Sequence, residues 1–124
     1  MGRKRKYTPK SFESNRAGDI SANIYASMMQ SKAWNNLTNN AKVLYMYMKM
    51  QYYGQKTIAD KGQECFYFNK AMYTKTYPLY TNINQFYKDR NLLIENGFIE
   101  IESGSTKFTR EKMIYKFSAK WQEV

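Results

Sequence analysis

Apolar residues fall into a few periodic runs along the chain. The longest, LTNNAKVLYMYMKMQYYG, places Leu37, Ala41, Leu44, Tyr45, Met48 and Tyr52 at helical spacing on one side. Val43, Met46, Tyr47 and Met50 add a second apolar stripe, so this helix is expected to be central. Thr38 is a suitable N-cap and Gly54 a suitable stop. Upstream, Asp19 is the expected cap of a helix from Ile20, with Ile24, Met28 and Met29 as its apolar face. Trp34 and Leu37 are expected core anchors. The methionines between Met28 and Met50 read first as core filling.

The polar stretch QKTIADKGQE reads as a turn, and ECFYF after it as a short strand. Asn69 caps a short predicted helix through Ala71, Met72 and Tyr73. Pro78 disfavours helix at Tyr77, so that helix ends near Thr76. TNINQFYKDRNLLIENG then predicts a second helix, capped by Thr81 or Asn82 and closed by Gly97 in the left-handed conformation. Ile83, Phe86, Leu93 and Ile94 form its buried stripe, with Arg90 at the spacing between them. Two helices joined by a tight turn at Tyr77-Pro78-Leu79 are a helix-turn-helix arrangement.

Beyond Gly97 the period changes from helical to alternating. In FIEIE, Ile99 and Ile101 face one way and Glu100 and Glu102 the other. In MIYKF, Met113, Tyr115 and Phe117 oppose Lys112 and Lys116. Paired antiparallel, the apolar sets cover the helices and the charged sets meet on the wet face. The connecting SGSTKFTRE is too long for a tight turn and projects as a wing. The expected fold class is α+β, a winged helix-turn-helix, mainly helical with a short strand and a two-stranded wing hairpin. Residues 1–18, polar, basic and broken by Pro9 and Gly18, read as a flexible arm, and 19–124 as one domain.

Charge sharpens this picture. The 124 residues carry a net charge of +10, and half of that excess lies in residues 1–16. A basic arm on a basic domain points to a polyanion, foremost nucleic acid. Without histidine, Ser-His and Cys-His nucleophiles, histidine metal sites and the usual general base are excluded. No phosphate-cradling GxxxxGK[ST] and no GxGxxG is present, so an enzyme is not expected, nor a cofactor, a metal or a small-molecule substrate. The lone Cys65, in the apolar run CFYF, reads as a buried small hydrophobe and fits a reducing cytoplasm. No apolar run approaches the roughly 18 residues that a membrane span needs, and no signal core follows MGRKRKYTPK.

Duplex DNA is the expected partner. A helix fits the major groove, and its outer side must then carry hydrogen-bonding groups. The non-core positions of the second helix are Thr81, Asn82, Asn84, Gln85, Lys88, Asp89 and Asn91, with Tyr87 at the boundary. Amides pair with adenine, and lysine with guanine or phosphate. Asp89 is the dissenting charge, suited to orienting Lys88 or Arg90. The wing offers Ser105, Thr106, Lys107, Arg110 and Lys112 to phosphate or a minor groove. Phe108 reads foremost as an anchor of that loop. Lys70 and Lys75 on the first helix of the pair clamp the backbone. Arg3, Lys4, Arg5 and Lys6 in the arm track phosphates or serve as a nuclear address.

With these residues in view, SKAWNNLTNNAKVLYMYMKMQYYG resembles the start of a group of bacterial winged-helix proteins, and LLIENGFIEI followed by YKFSAKW resembles their recognition-helix exit, wing and closing strand. The group comprises amino-terminal domains of plasmid replication initiators and small proteins of conjugative transposons and phages. The resemblance spans about residues 20–121. It implies sequence-specific duplex binding in replication initiation or transcriptional control of a mobile element, in a bacterial cytoplasm, associated with nucleoid or plasmid. Arg90 departs from the aliphatic residue usual in the group. Initiators usually continue into further domains, whereas Val124 ends this chain, so an accessory or regulatory protein is expected. A dimer on paired half-sites, or a replication or regulatory protein partner, stays open. The lack of a heptad seam leans toward a monomer in solution. The alternatives are a winged helix used as a protein-interaction module, or RNA and single-strand binding through exposed tyrosines.

Overall fold

A computed structural model describes residues 8–54, 64–68, 83–102 and 114–124. Among the described residues, four α-helices and a three-stranded antiparallel sheet form a mixed α and β architecture. The helices are α1 (Ala26–Met29), α2 (Lys32–Asn35), α3 (Asn39–Gly54) and α4 (Ile83–Glu95). The strands are β1 (Cys65–Tyr67), β2 (Ile99–Ile101) and β3 (Ile114–Phe117), and a 3-10 turn at Lys120–Glu123 follows.

The amino-terminal helix starts later than expected. Asp19 does not cap it. Its carboxylate accepts from the Ser14 hydroxyl at 2.6 Å, from Arg16 Nη2 at 2.9 Å and from the Ile20 amide at 2.9 Å. These partners, Ser14 first, hold the Asp19 carboxyl below its ordinary range. The chain stays extended at Tyr25 and turns helical only at Ala26. Ser31 then caps α2, accepting from the Trp34 amide at 3.1 Å and donating to the Met28 carbonyl at 2.6 Å.

Thr38 caps α3 as anticipated, its Oγ1 accepting from the Ala41 amide at 3.1 Å. The first apolar stripe is the buried one: Leu37, Ala41, Leu44, Tyr45 and Met48 are all buried and Tyr52 is half-buried. The second stripe is less buried, with Tyr47 packed against the core from its margin. Val43, Tyr47 and Met50 are only half-buried, and Met46 is exposed. Core filling accordingly holds for Met28 and Met48, while Met29 stands half exposed.

Aromatic rings knit the centre. Trp34, Tyr45 and Phe98 meet edge to face, with centroids 5.3–6.0 Å apart. Phe66 stacks on Tyr115 and Phe117 across the sheet, at 5.7 and 4.5 Å. Trp34, Tyr45, Phe66, Phe98 and Tyr115 are buried, and each contributes on the order of 2–3 kcal/mol through apolar area removed from water, while Phe117 is half-buried.

The alternating segments pair in the expected register, with Ile99 opposite Phe117, Glu100 opposite Lys116 and Ile101 opposite Tyr115. Ile99 is buried, whereas Ile101 lies at an exposed sheet edge. The ion pair of Glu100 is made with Lys120, at 3.5 Å. The ECFYF strand joins the same sheet: Phe66 lies opposite Tyr115, and β3 sits in the middle of the order β1-β3-β2. Cys65 is buried, as expected, with its thiol 3.4 Å from Glu102 Oε2.

Candidate nucleic-acid interface

The exit of α4 is set by hydrogen bonds. The Gly97 amide donates to the Ile94 carbonyl at 3.1 Å and the Phe98 amide to the Leu93 carbonyl at 3.0 Å, a Schellman closure. Gly97 has φ +81°, where a side chain is strained. A Cβ there would also lie 2.6 Å from the Lys120 carbonyl carbon and the Trp121 nitrogen. The chain needs that closeness, because the Trp121 amide donates to the Gly97 carbonyl at 3.0 Å. Trp121 in turn stacks on Phe98, 6.1 Å between centroids. The helix therefore passes into β2 at a fixed angle.

Along α4, Phe86 and Leu93 are buried as expected. Asp89 is a correction. It is not an outer position but is 2% exposed. Its Oδ1 accepts from Gln85 Nε2 at 3.1 Å and, at a longer 3.4 Å, from the Thr38 hydroxyl. This places a carboxylate at the amino end of α3, whose own first turn has no acidic residue. The helix dipole favours an anion there. A second polar link closes the carboxyl end of α4. Asn36 Nδ2 donates to Asn96 Oδ1 at 3.0 Å, and Asn96 Nδ2 donates to the Leu92 carbonyl at 2.9 Å.

Arg90 is half-buried, and its positive charge acts on the Tyr115 hydroxyl of β3. Its guanidinium lies 4.8 Å from the centre of the Tyr87 ring, and its Nε and Nη2 donate to Asn91 Oδ1 at 3.3 and 3.1 Å. Burial pushes the Tyr115 hydroxyl above its ordinary value, and the Arg90 contact pulls the other way. Arg90 thus braces α4 against β3 and supports the Tyr87 ring.

What remains outward is a single stripe. Asn84, Tyr87, Lys88, Asn91 and Glu95 are exposed at three- and four-residue spacing, and Gln85 lies half-buried beside them. Of the expected recognition-helix residues, Asn84, Gln85, Tyr87 and Lys88 come together here. Thr81 and Asn82 lie outside the described residues, as do Lys70 and Lys75, the wing residues Ser105, Thr106, Lys107, Arg110 and Lys112, and Arg3, Lys4, Arg5 and Lys6 of the arm. The expected first helix of the pair, its turn and Phe108 lie outside them too. Glu95 was missed in the sequence reading. Its place four residues beyond Asn91 on the outer face was the signal, and it makes the carboxyl end of the stripe unfriendly to phosphate.

Among the described residues, no group of three or more cysteine and carboxylate side chains is placed to hold a metal ion, and no helix is long and apolar enough to cross a membrane. No protein family, curated protein or solved structure matches the chain.

Proposed function

We propose that the chain is a non-catalytic, winged helix-turn-helix protein that binds duplex DNA with α4 in the major groove. The observation that carries this reading is the outward stripe Asn84, Gln85, Tyr87 and Lys88 on a helix tied at its middle and its carboxyl end and followed at once by an antiparallel strand pair. A groove about 12 Å wide accepts a helix of this kind, and amides and lysine match its donor and acceptor edges. The net charge of +10 supplies the long-range attraction to phosphate. Glu95 orients the docking, since its charge keeps the carboxyl end of α4 away from the backbone and points the amino end inward. Replication or transcriptional control on a mobile element is the role proposed from the resemblance of the flanking motifs.

A binding titration against random duplex, single-stranded DNA and RNA over a salt series tests the reading. Duplex is expected to bind tightest, with affinity falling steeply as salt rises. Equal or better binding to single strands overturns it. A second reading, a protein-interaction module, draws on the exposed Phe12, Ile20, Tyr25 and Met29. Loss of those side chains without change in duplex affinity, together with no duplex preference in the wild type, favours it.

A further inference from the structure

The amide of Gln85 is held at one end by a buried carboxylate, that of Asp89. A carboxylate oxygen accepts hydrogen bonds, so the group 3.1 Å from Asp89 Oδ1 must be the Gln85 nitrogen. The amide therefore has one orientation, with Oε1 on the side away from Asp89. Asp89 is itself 2% exposed and is tied to the Thr38 cap of α3, so the orientation is inherited from the core.

With the N–H anti to Oε1 turned to Asp89, Oε1 and the syn N–H of Gln85 form an adjacent acceptor and donor. In the major groove adenine offers the complementary pair, its N6 amino donor beside its N7 acceptor. Reversed by half a turn about its last torsion, the same amide would meet Asp89 with an oxygen, and two acceptors repel. The wrong rotamer is excluded before DNA arrives, which removes an ordering cost from the contact.

We infer that Gln85 is the specificity-determining residue of α4, reading one adenine, and that buried Asp89 is the positioning residue that holds its amide the right way round. This rests on the duplex-binding reading above. It also replaces the view of the outer face as interchangeable amides: Asn84, Tyr87 and Lys88 set affinity and register, while Gln85 sets the letter.

The test is selection of bound duplexes from a random pool by the full chain and by two variants, Gln85→Ala and Asp89→Asn, followed by titration of single base-pair substitutions. Gln85→Ala removes the reading amide at a half-buried surface position. Asp89→Asn keeps the shape but offers both a donor and an acceptor, so either orientation of the Gln85 amide is accepted. The wild type is expected to recover a motif with one strongly preferred adenine. Gln85→Ala should flatten that position by about 5- to 100-fold in relative affinity, leaving the others in place. Asp89→Asn should flatten the same position by a smaller factor, with thermal unfolding used to show that it is folded at the assay temperature.

A uniform loss of affinity across all positions is the signature of a merely structural role, and overturns the inference for the variant that shows it. A motif retained unchanged in Gln85→Ala overturns the inference while leaving duplex binding intact. A motif flattened by Gln85→Ala but not by folded Asp89→Asn overturns the role of Asp89. No duplex binding by the wild type overturns both this inference and the reading it rests on.

Discussion

Helix α4 is held in two different ways at its two seams. At its exit, Phe98 sits among Trp34, Tyr45 and Trp121, rings with no polar atom shared between them. Along its flank, Asp89 and Asn96 are the buried polar groups, linked to Thr38 and Asn36 at the two ends of the α2–α3 connection. The apolar seam is where the stability lies, because ring burial contributes kilocalories and tolerates small rotations. The polar seam contributes less net energy but accepts only one register, since a helix turned by one residue would leave both groups unpaired. A surface that must present particular atoms to a ligand needs the second kind of contact as well as the first.

The comparison can be broken from the apolar side most severely by alkali. An unfolded tyrosine ionises near pH 10, and burial raises both Tyr45 and Tyr115 above that value in the folded chain. The fold then retains protons that the unfolded chain gives up. Stability is full below about pH 10 and declines as the pH climbs toward the raised values. Lys49 opposes this weakly, because burial lowers its amine and that cost is relieved in the same range. Phenolate absorbance should show late titration of Tyr45 and Tyr115 that coincides with loss of the circular dichroism signal. Phe98→Ala comes next, at about 3–5 kcal/mol from cavity and transfer together, read by chemical denaturation. Gly97→Ala should cost about 2–4 kcal/mol, since the left-handed backbone is strained for alanine and the methyl meets main-chain atoms of Lys120 and Trp121.

The polar seam is expected to answer more softly. Asp89→Ala should cost about 1–3 kcal/mol by leaving the donors of Thr38 and Gln85 without their acceptor. A loss above that of Phe98→Ala reverses the ranking of the two seams. At the bottom of the scale, Lys88→Ala should change stability by less than about 0.5 kcal/mol, being exposed. Its effect belongs on binding: duplex affinity falls across all sequences, and the salt slope drops by about one.

The apolar seam was legible in part, through Trp34 and Tyr45 but not Phe98 or Trp121, and the polar one was not. Trp34, Leu37, the Ala41–Met48 stripe, Gly97 and the alternation of FIEIE with MIYKF are local patterns, each enforced by periodicity or by a backbone need. Thr38 also followed from position alone. Asp89 shows where that reasoning ends. On a helical wheel Asp89 and Arg90 both fall between Phe86 and Leu93, and the wheel does not show that the carboxylate goes in, toward a hydroxyl 51 residues away. Arg90 then takes the half-buried slot because Tyr115 and Tyr87 await it. Asp19 misled for the converse reason, since a cap-forming side chain close to Ser14 and Arg16 is claimed by them first. The second stripe of α3 read as central because periodicity records which residues share a face, not how deeply that face is buried. Of the candidate site, the outer face of α4 was visible as a pattern, but not the tether beneath Gln85, which is a tertiary contact.

The stacking of Trp121 on Phe98 has a practical corollary. The chain has two tryptophans, and both indoles rest against that one ring, Trp34 from the amino-terminal side and Trp121 from the carboxyl end. Intrinsic fluorescence is therefore a built-in gauge of a single corner, where the outgoing helix becomes the sheet. If a bound duplex tugs on that corner, the emission will register it without any attached dye.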